Sequence, residues 1–224
     1  KHPDAPELLE RLMEIADVMI QNLAPGAAAR LGLDYDSLAP KHPELIVCDI
    51  SGYGSSGPYQ NRKAYDLLIQ AEAGFLSVTG QGSQMAKAGI SIADIAAGMQ
   101  AYSGILAALL QRHQTGRGSH LEISLLESLV EWMGFPLYYA YEGAAPPPRT
   151  GTEHASIYPY GVFPTADGES VLIGIQNERE WEGFCRNVLG LETLLQDPRF
   201  GTNAARSESR DALRPIIEDV TRSL

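Results

Sequence analysis

Cysteine, basic residues and the short signatures of several common chemistries are all scarce in this chain of 224 residues. The only two cysteines, Cys48 and Cys185, are far apart and lack CxxC spacing. That argues against a disulfide framework or thiolate metal site and fits small core residues of a reducing compartment, so a cytoplasmic location is expected. Lys and Arg total 17 against 28 Asp and Glu, a formal net charge of −11. Nucleic acid and anionic membrane both need a basic face, so neither is expected as a partner; a local basic pocket for a small anion remains open. No apolar run approaching membrane-spanning length is expected. The five histidines form no HxxxH or HxH pair, and no metal is expected. The loop Gly52-Tyr53-Gly54-Ser55-Ser56-Gly57 has neither the GK[ST] of a P-loop nor GxGxxG spacing. Without a GxSxG elbow, Ser56 and Ser124 are poor candidates for a hydrolase nucleophile. There are no internal repeats.

What is present is an ordinary globular balance, 44% hydrophobic and 20% charged, long enough for a real core in one or two domains. Apolar spacing predicts an amphipathic helix over Glu7 to Ala16, then a short buried strand over Asp17 to Asn22. Leu45 to Ser51 is a nearly continuous apolar run, as expected of a strand covered on both faces. Ala64 to Thr79 reads as a helix with Leu67, Leu68, Ala71 and Phe75 on its apolar side, followed by a flexible Gly80 to Ser83. Ile95 to Gln114 reads as a long helix whose core stripe is Met99, Tyr102, Ile105, Leu106, Leu109 and Leu110, stopped at Thr115-Gly116-Arg117-Gly118. A strand over His120 to Ser124 and a helix over Leu125 to Tyr141 follow. Strand and helix alternate, so an α/β fold with a parallel sheet is predicted.

The run Gly143-Ala144-Ala145-Pro146-Pro147-Pro148 breaks the composition, and proline runs favour stiff extended connectors. We therefore expect a large domain over 1–142, a linker over 143–150 and a small domain over 151–224. In the last, Tyr160 to Phe163 and Ser170 to Ile175 flank Ala166-Asp167-Gly168 as a hairpin, and helices are expected over Glu178 to Leu189 and Asn203 to Val220. The first residues run into a helix with no strand before it to pack upon, and Thr221 to Leu224 closes no obvious unit, so further chain is expected on both sides.

Four places in the chain suggest chemistry. Asp94 is a lone carboxylate among small and apolar neighbours, Ile92-Ala93-Asp94-Ile95-Ala96-Ala97-Gly98. It reads as an N-cap of the following helix, or as a nucleophile that uses the same free N–H groups to hold charge, and the two are compatible. Arg62 and Lys63 precede a helix start, where cations oppose the dipole; they read as a solvated loop or as a phosphate clamp. Asn22 to Arg30 lies where a strand ends, the side of an α/β sheet on which ligands bind. His154, in a loop past the linker, reads as structural or, at a domain junction, as a ligand contact.

In order, the stretches Ala16 to Gly32, Cys48 to Pro58, Ala64-Tyr65-Asp66 to Gly80, Ile92 to Gly98, Gly104 to Gly118 and Ile157 to Gly161 resemble the class III CoA-transferases, the family that also contains α-methylacyl-CoA racemase. The resemblance implies a Rossmann-like large domain with a parallel sheet, incomplete in this chain, and a smaller α+β domain. It implies that Asp94 is the catalytic carboxylate, acting through an acyl-aspartyl anhydride and an aspartyl-CoA thioester. It also implies that Asn22, Leu23, Ala24 and Arg30 line the CoA nucleotide and that Arg62, Lys63, Ala64 and Tyr65 form its second wall. Many relatives carry a basic residue where this chain has Ala24. Racemases place a histidine where Tyr65 stands, and a phenol, ionising near pH ~10, is a poor base at neutral pH, so transfer is favoured over racemisation. Residues Arg149 to Tyr160 and Gln176 to Trp181 look most like the branch acting on C4 and C5 dicarboxylates, with Arg149 or His154 to neutralise a distal carboxylate. The implied substrates are an acyl-CoA, with succinyl-CoA a usual donor, and a small carboxylic acid; no tightly bound cofactor is expected, and the implied assembly is an interlocked homodimer. The competing readings are an acyl-CoA racemase on the same fold and a silent CoA-binding scaffold.

Overall fold

The computed structural model describes residues 2–223; Lys1 and Leu224, the outermost residues of the two expected junctions, lie outside them. The described residues form two compact units, one of residues 2–78 and 86–146 and the other of residues 79–85 and 147–223.

The first unit is built on a three-stranded parallel sheet, ordered β1 (Val18–Gln21), β2 (Ile46–Ser51) and β5 (His120–Ser124). Val18 pairs with Ile46, and Val47 with His120. Ile46, Val47 and Cys48 are buried, which explains the unbroken apolar run of the central strand. Helix α1 (Ala5–Met13) precedes β1, and the short α2 (Ala27–Arg30) and α3 (Tyr35–Leu38) connect β1 to β2. Met19, Leu38, Leu45 and Val47 close one core on this side. Beyond β2 come α4 (Asp66–Glu72), α5 (Phe75–Val78), α6 (Ile92–Thr115), α7 (Leu125–Met133) and α8 (Phe135–Tyr139). The expected α/β fold with a parallel sheet is present, and Gly134, at φ 55°, divides the expected 125–141 helix into α7 and α8.

Two helix faces differ from the sequence reading. On α6 the buried residues are Ala93, Ala96, Ala97, Ala101 and Ala108, whereas Met99, Tyr102, Leu106 and Leu110, expected in the core, are exposed. Small side chains let α6 lie close to its neighbours: Ala93 and Ala97 share a core cluster with Ile69, Leu125 and Leu129. On α4, Ile69 is fully buried while Leu67 and Leu68 are exposed. At 24 residues, α6 is also long and apolar enough to cross a membrane by length and composition, contrary to the expectation that no run approaches that length. A helix whose alanine face packs into a core meets the same criterion.

The second unit holds the expected hairpin, β6 (Tyr160–Pro164) against β7 (Ser170–Gly174), with Tyr160 opposite Gly174. Helix α9 (Glu178–Phe184) runs on as a π-turn over Cys185–Leu189, and α10 (Asn203–Glu208) and α11 (Arg210–Thr221) follow. Its core includes Tyr158, Phe163, Trp181, Phe200, Leu213 and Ile217. The stretch expected to be a flexible loop is a small hairpin, β3 (Gly80–Gln81) with β4 (Gln84–Met85), turned through Gly82 at φ 55°. It is tied down by Gly151 N–H to Gly80 O and Gly82 N–H to Arg149 O. Cys48 and Cys185 are both buried and free, and burial pushes the Cys185 thiol up to about 11.

Candidate active site

In the first unit, a cleft of about 610 Å³ opens at the C-terminal ends of β1 and β2. That volume suits a small-molecule ligand, and the strand-end position is where α/β sheets bind one. Gln21 to Gly26 form one side, Asp49 to Gly52 the floor, and Gln60 to Tyr65 the other side. The cleft therefore brings together Asn22, Leu23, Ala24, Arg62, Lys63, Ala64 and Tyr65. Arg30 does not line it; its Nη1 lies 3.1 Å from where a Cβ on the lining residue Gly26 would sit.

The first side is held by a polar chain that starts in the sheet. Asp49 on β2 accepts a hydrogen bond from Gln21 Nε2 at 2.9 Å, and Gln21 Oε1 accepts the Leu23 N–H at 2.7 Å. The other Asp49 oxygen lies 2.7 Å from His120 Nε2, and the His120 ring stacks on Tyr35 with centroids 4.8 Å apart. A strand residue thereby fixes the loop after β1. Asp49 and His120 were missed in the sequence; the available signal was a carboxylate interrupting the apolar run 45–50.

The second side rests on a close approach. A Cβ on Gly52 would lie 2.1 Å from Ala64 Cβ, so only glycine lets the 60–65 segment pack against the end of β2. Arg62 lies over the Tyr59 ring at 3.6 Å and 3.9 Å from Glu72, and Tyr59 meets Tyr53 edge-on. Lys63 has no ion pair among the described residues and is exposed at the cleft wall. These two cations can meet a phosphate there, while Asp34, Asp49 and Glu122 give the rest of the lining an acidic character. Ser124, set aside as a nucleophile, accepts the Glu127 N–H and caps α7.

Asp94 is the third residue of α6, not its N-cap. The helix begins at Ile92, behind Ser91, whose side chain makes no capping bond. The acceptor comes instead from α4: Asp66 Oδ1 takes the Ala93 N–H at 2.8 Å. Asp94 is thus released from capping; its carboxylate is exposed and makes no hydrogen bond or ion pair among the described residues. It lies outside the cleft lining. Its pKa is raised above the usual carboxylate range, first by desolvation and then by the negative charge of Asp66. For a side chain that water reaches, the neighbouring charge is the contribution a substitution can isolate.

Arg149 and His154 belong to the second unit. Arg149 Nε donates to Gly82 O at 2.8 Å. His154 Nδ1 accepts the Ser156 N–H at 3.2 Å, and its ring stacks on Tyr160. Among the described residues, no three His, Cys, Asp or Glu side chains are grouped to hold a metal ion.

The profile of CoA-transferase family III matches residues 1–224. A succinate–glutarate CoA-transferase from Agrobacterium fabrum is 37% identical over 222 residues, covering 99% of this chain and 55% of that protein. A succinyl-CoA:glutarate CoA-transferase from Mus musculus is 34% identical, covering 97% and 50%. The crystal structure of a CaiB/BaiF family protein from Brucella suis superposes with a TM-score of 0.85 at 34% identity, covering all of this chain and 59% of the other. The chain spans about half the length of the curated relatives it matches. With the parallel sheet, the strand-end cleft and a match along its whole length, this chain belongs to CoA-transferase family III.

Proposed function

We propose that this chain carries the CoA cleft and the nucleophile of an enzyme that moves CoA from succinyl-CoA, or another dicarboxylyl-CoA, to a carboxylic acid. The observation that supports this most is the cleft itself, which gathers Asn22 to Ala24 and the cations Arg62 and Lys63 at the strand ends. The substrate class follows the relatives, whose names pair succinate or succinyl-CoA with glutarate, D-citramalate, L-malate and mesaconate.

In this reading the Asp94 carboxylate attacks the thioester carbonyl, the C–S bond breaks, and CoA leaves as the thiolate. The thiolate then attacks the aspartyl carbonyl of the mixed anhydride, releasing the donor acid as its carboxylate and leaving an aspartyl-CoA thioester. The acceptor carboxylate expels the thiolate again to form a second anhydride. Attack of the thiolate on the acceptor acyl carbon gives the new acyl-CoA and regenerates Asp94. Each step exchanges one leaving group for another, so no net proton or electron is needed. The first turn of α6 supplies dipole stabilisation to the anion between steps. Arg149 or His154 neutralises the distal carboxylate. An interlocked cytoplasmic homodimer completes the reading.

A coupled assay of the full-length protein tests it, with succinyl-CoA offered against glutarate, itaconate, mesaconate, citramalate and malate. CoA transfer to at least one of them is expected. Folded protein that transfers CoA to none, or that exchanges α-protons with solvent deuterium in the absence of an acceptor, contradicts it. Arg149→Ala and His154→Ala should raise the dicarboxylate KM; if neither does, the assignment of those two residues is wrong.

A further inference from the structure

Gln70 is the most deeply buried polar side chain in the first unit, with no exposed surface, and its bonds lead towards Asp94. Its Nε2 donates to Asp66 Oδ2 at 2.5 Å, and its Oε1 accepts the Ala88 N–H at 2.9 Å. The other Asp66 oxygen accepts the Ala93 N–H at 2.8 Å. Asp66 and Gln70 are one helical turn apart on α4, so both face the same strip of chain. They grip the backbone at 88 and 93, the two ends of the segment that leads into α6, and the second grip falls one residue before Asp94. Ile69 beside them packs in the same cluster as Ala93 and Ala97. A buried amide is costly unless its groups are paired, so the two Gln70 bonds fix the amide and, through it, the Asp66 carboxylate.

We propose that Asp66 and Gln70 form a buried clamp that positions Asp94 for attack by holding the backbone on both sides of the segment leading into α6. The proposal rests on the reading of Asp94 as the nucleophile. The clamp has a second effect. It plants a negative charge near Asp94, which helps hold that carboxyl above its usual range. Other acids near these elements are engaged elsewhere: Glu131 on α7 accepts from Gln100 at 2.6 Å, and Glu72 faces Arg62. Asp49 and Glu122 line the cleft instead. A residue that only supported the fold would lower stability and leave the kcat of the folded enzyme unchanged.

The test uses the full-length enzyme with succinyl-CoA and whichever dicarboxylate it accepts, following kcat and KM across pH. Gln70→Met keeps the volume and removes both bonds. It should lower kcat roughly tenfold to a hundredfold with the KM for succinyl-CoA within about twofold, because misplacing a reacting group by ~1 Å costs that order of rate. Asp66→Asn keeps an oxygen for the Ala93 N–H, puts a donor where Oδ2 accepts from Gln70, and removes the charge. It should fold, keep more activity than Asp66→Ala, and move the acid limb of kcat to lower pH. In parallel, wild-type enzyme incubated with succinyl-CoA is treated with hydroxylamine and mapped by peptide mass spectrometry. If Asp94 carries the adduct while Gln70→Met and Asp66→Ala keep wild-type kcat and Asp66→Asn leaves the acid limb in place, the clamp is overturned and the nucleophile stands. If wild type shows no adduct at Asp94, the nucleophile and the clamp fall together.

Discussion

At Asp94, chemistry and stability pull in opposite directions. A carboxyl whose pKa is raised on folding favours the folded state while protonated, and that contribution is lost as pH rises through its folded pKa. At neutral pH the ionised Asp94 is therefore a burden on the fold, accepted in this account because it is the nucleophile. Asp94→Asn should leave the melting temperature equal or higher and the helix content unchanged, since capping falls to Asp66, while transfer drops by at least about a thousandfold. Circular dichroism and the coupled assay read the two halves separately; a fall in both would make Asp94 a structural residue. Lys63 offers a simpler case. Losing one charge-assisted contact to a phosphate costs about 1.4 kcal/mol, so Lys63→Ala should weaken CoA binding by roughly tenfold, as measured by calorimetry. If affinity is unchanged, the phosphates are held elsewhere.

The elements that present these residues were unevenly legible. The strands could be read: the continuous apolar run of β2 marks a buried parallel strand, and β5, where polar and apolar residues alternate, begins and ends where the sequence reading puts it. The faces of α4 and α6 could not. On α6 the alanines pack inward and the large side chains point out, so apolarity alone chose the wrong stripe. Close approach between helices depends on what each residue meets across the contact, and a single helix pattern does not carry that information. The inward face makes a definite prediction: Ala97→Leu should destabilise by roughly 1–3 kcal/mol, because the Ile69 and Leu129 cluster has no room for added methylenes. Urea unfolding measures it, and a neutral result would mean the α6 contact is looser than described. The candidate site followed the same division. Asn22 was singled out by a strand end, Arg62 and Lys63 by two cations at a helix start, and Leu23, Ala24, Ala64 and Tyr65 by the family resemblance; the fold brings all of them to one cleft. The Asp49–His120 and Asp66–Gln70 contacts were not singled out, because they join residues 71 positions apart and tie a helix turn to distant backbone.

Across the molecule, the two units differ in how they are held. The first relies on a sheet and alanine-faced helices, while the second buries a cation in its core. Arg206 is fully buried, donates to Tyr158 O, Phe200 O and Glu178, and lies 4.9 Å from the Trp181 ring. Its hydrogen bond holds Glu178 below the usual carboxylate range. A depressed carboxylate stabilises the fold above its unfolded pKa and loses that contribution as pH falls through the folded one. Arg206→Ala should cost about 3 kcal/mol and remove that share of the acid sensitivity, read as unfolding midpoints across acidic pH. An unchanged midpoint would show that Trp181 and its apolar neighbours hold the unit without the arginine.

For the whole enzyme, the central claim is that Asp94 becomes covalently acylated during CoA transfer. The most direct measurement is to incubate full-length protein with succinyl-CoA without acceptor, quench with hydroxylamine and locate the modified carboxyl by peptide mass spectrometry. The account predicts a hydroxamate on Asp94, absent from Asp94→Asn and absent without succinyl-CoA. An active enzyme whose Asp94 peptide stays unmodified while another carboxyl is labelled would contradict it.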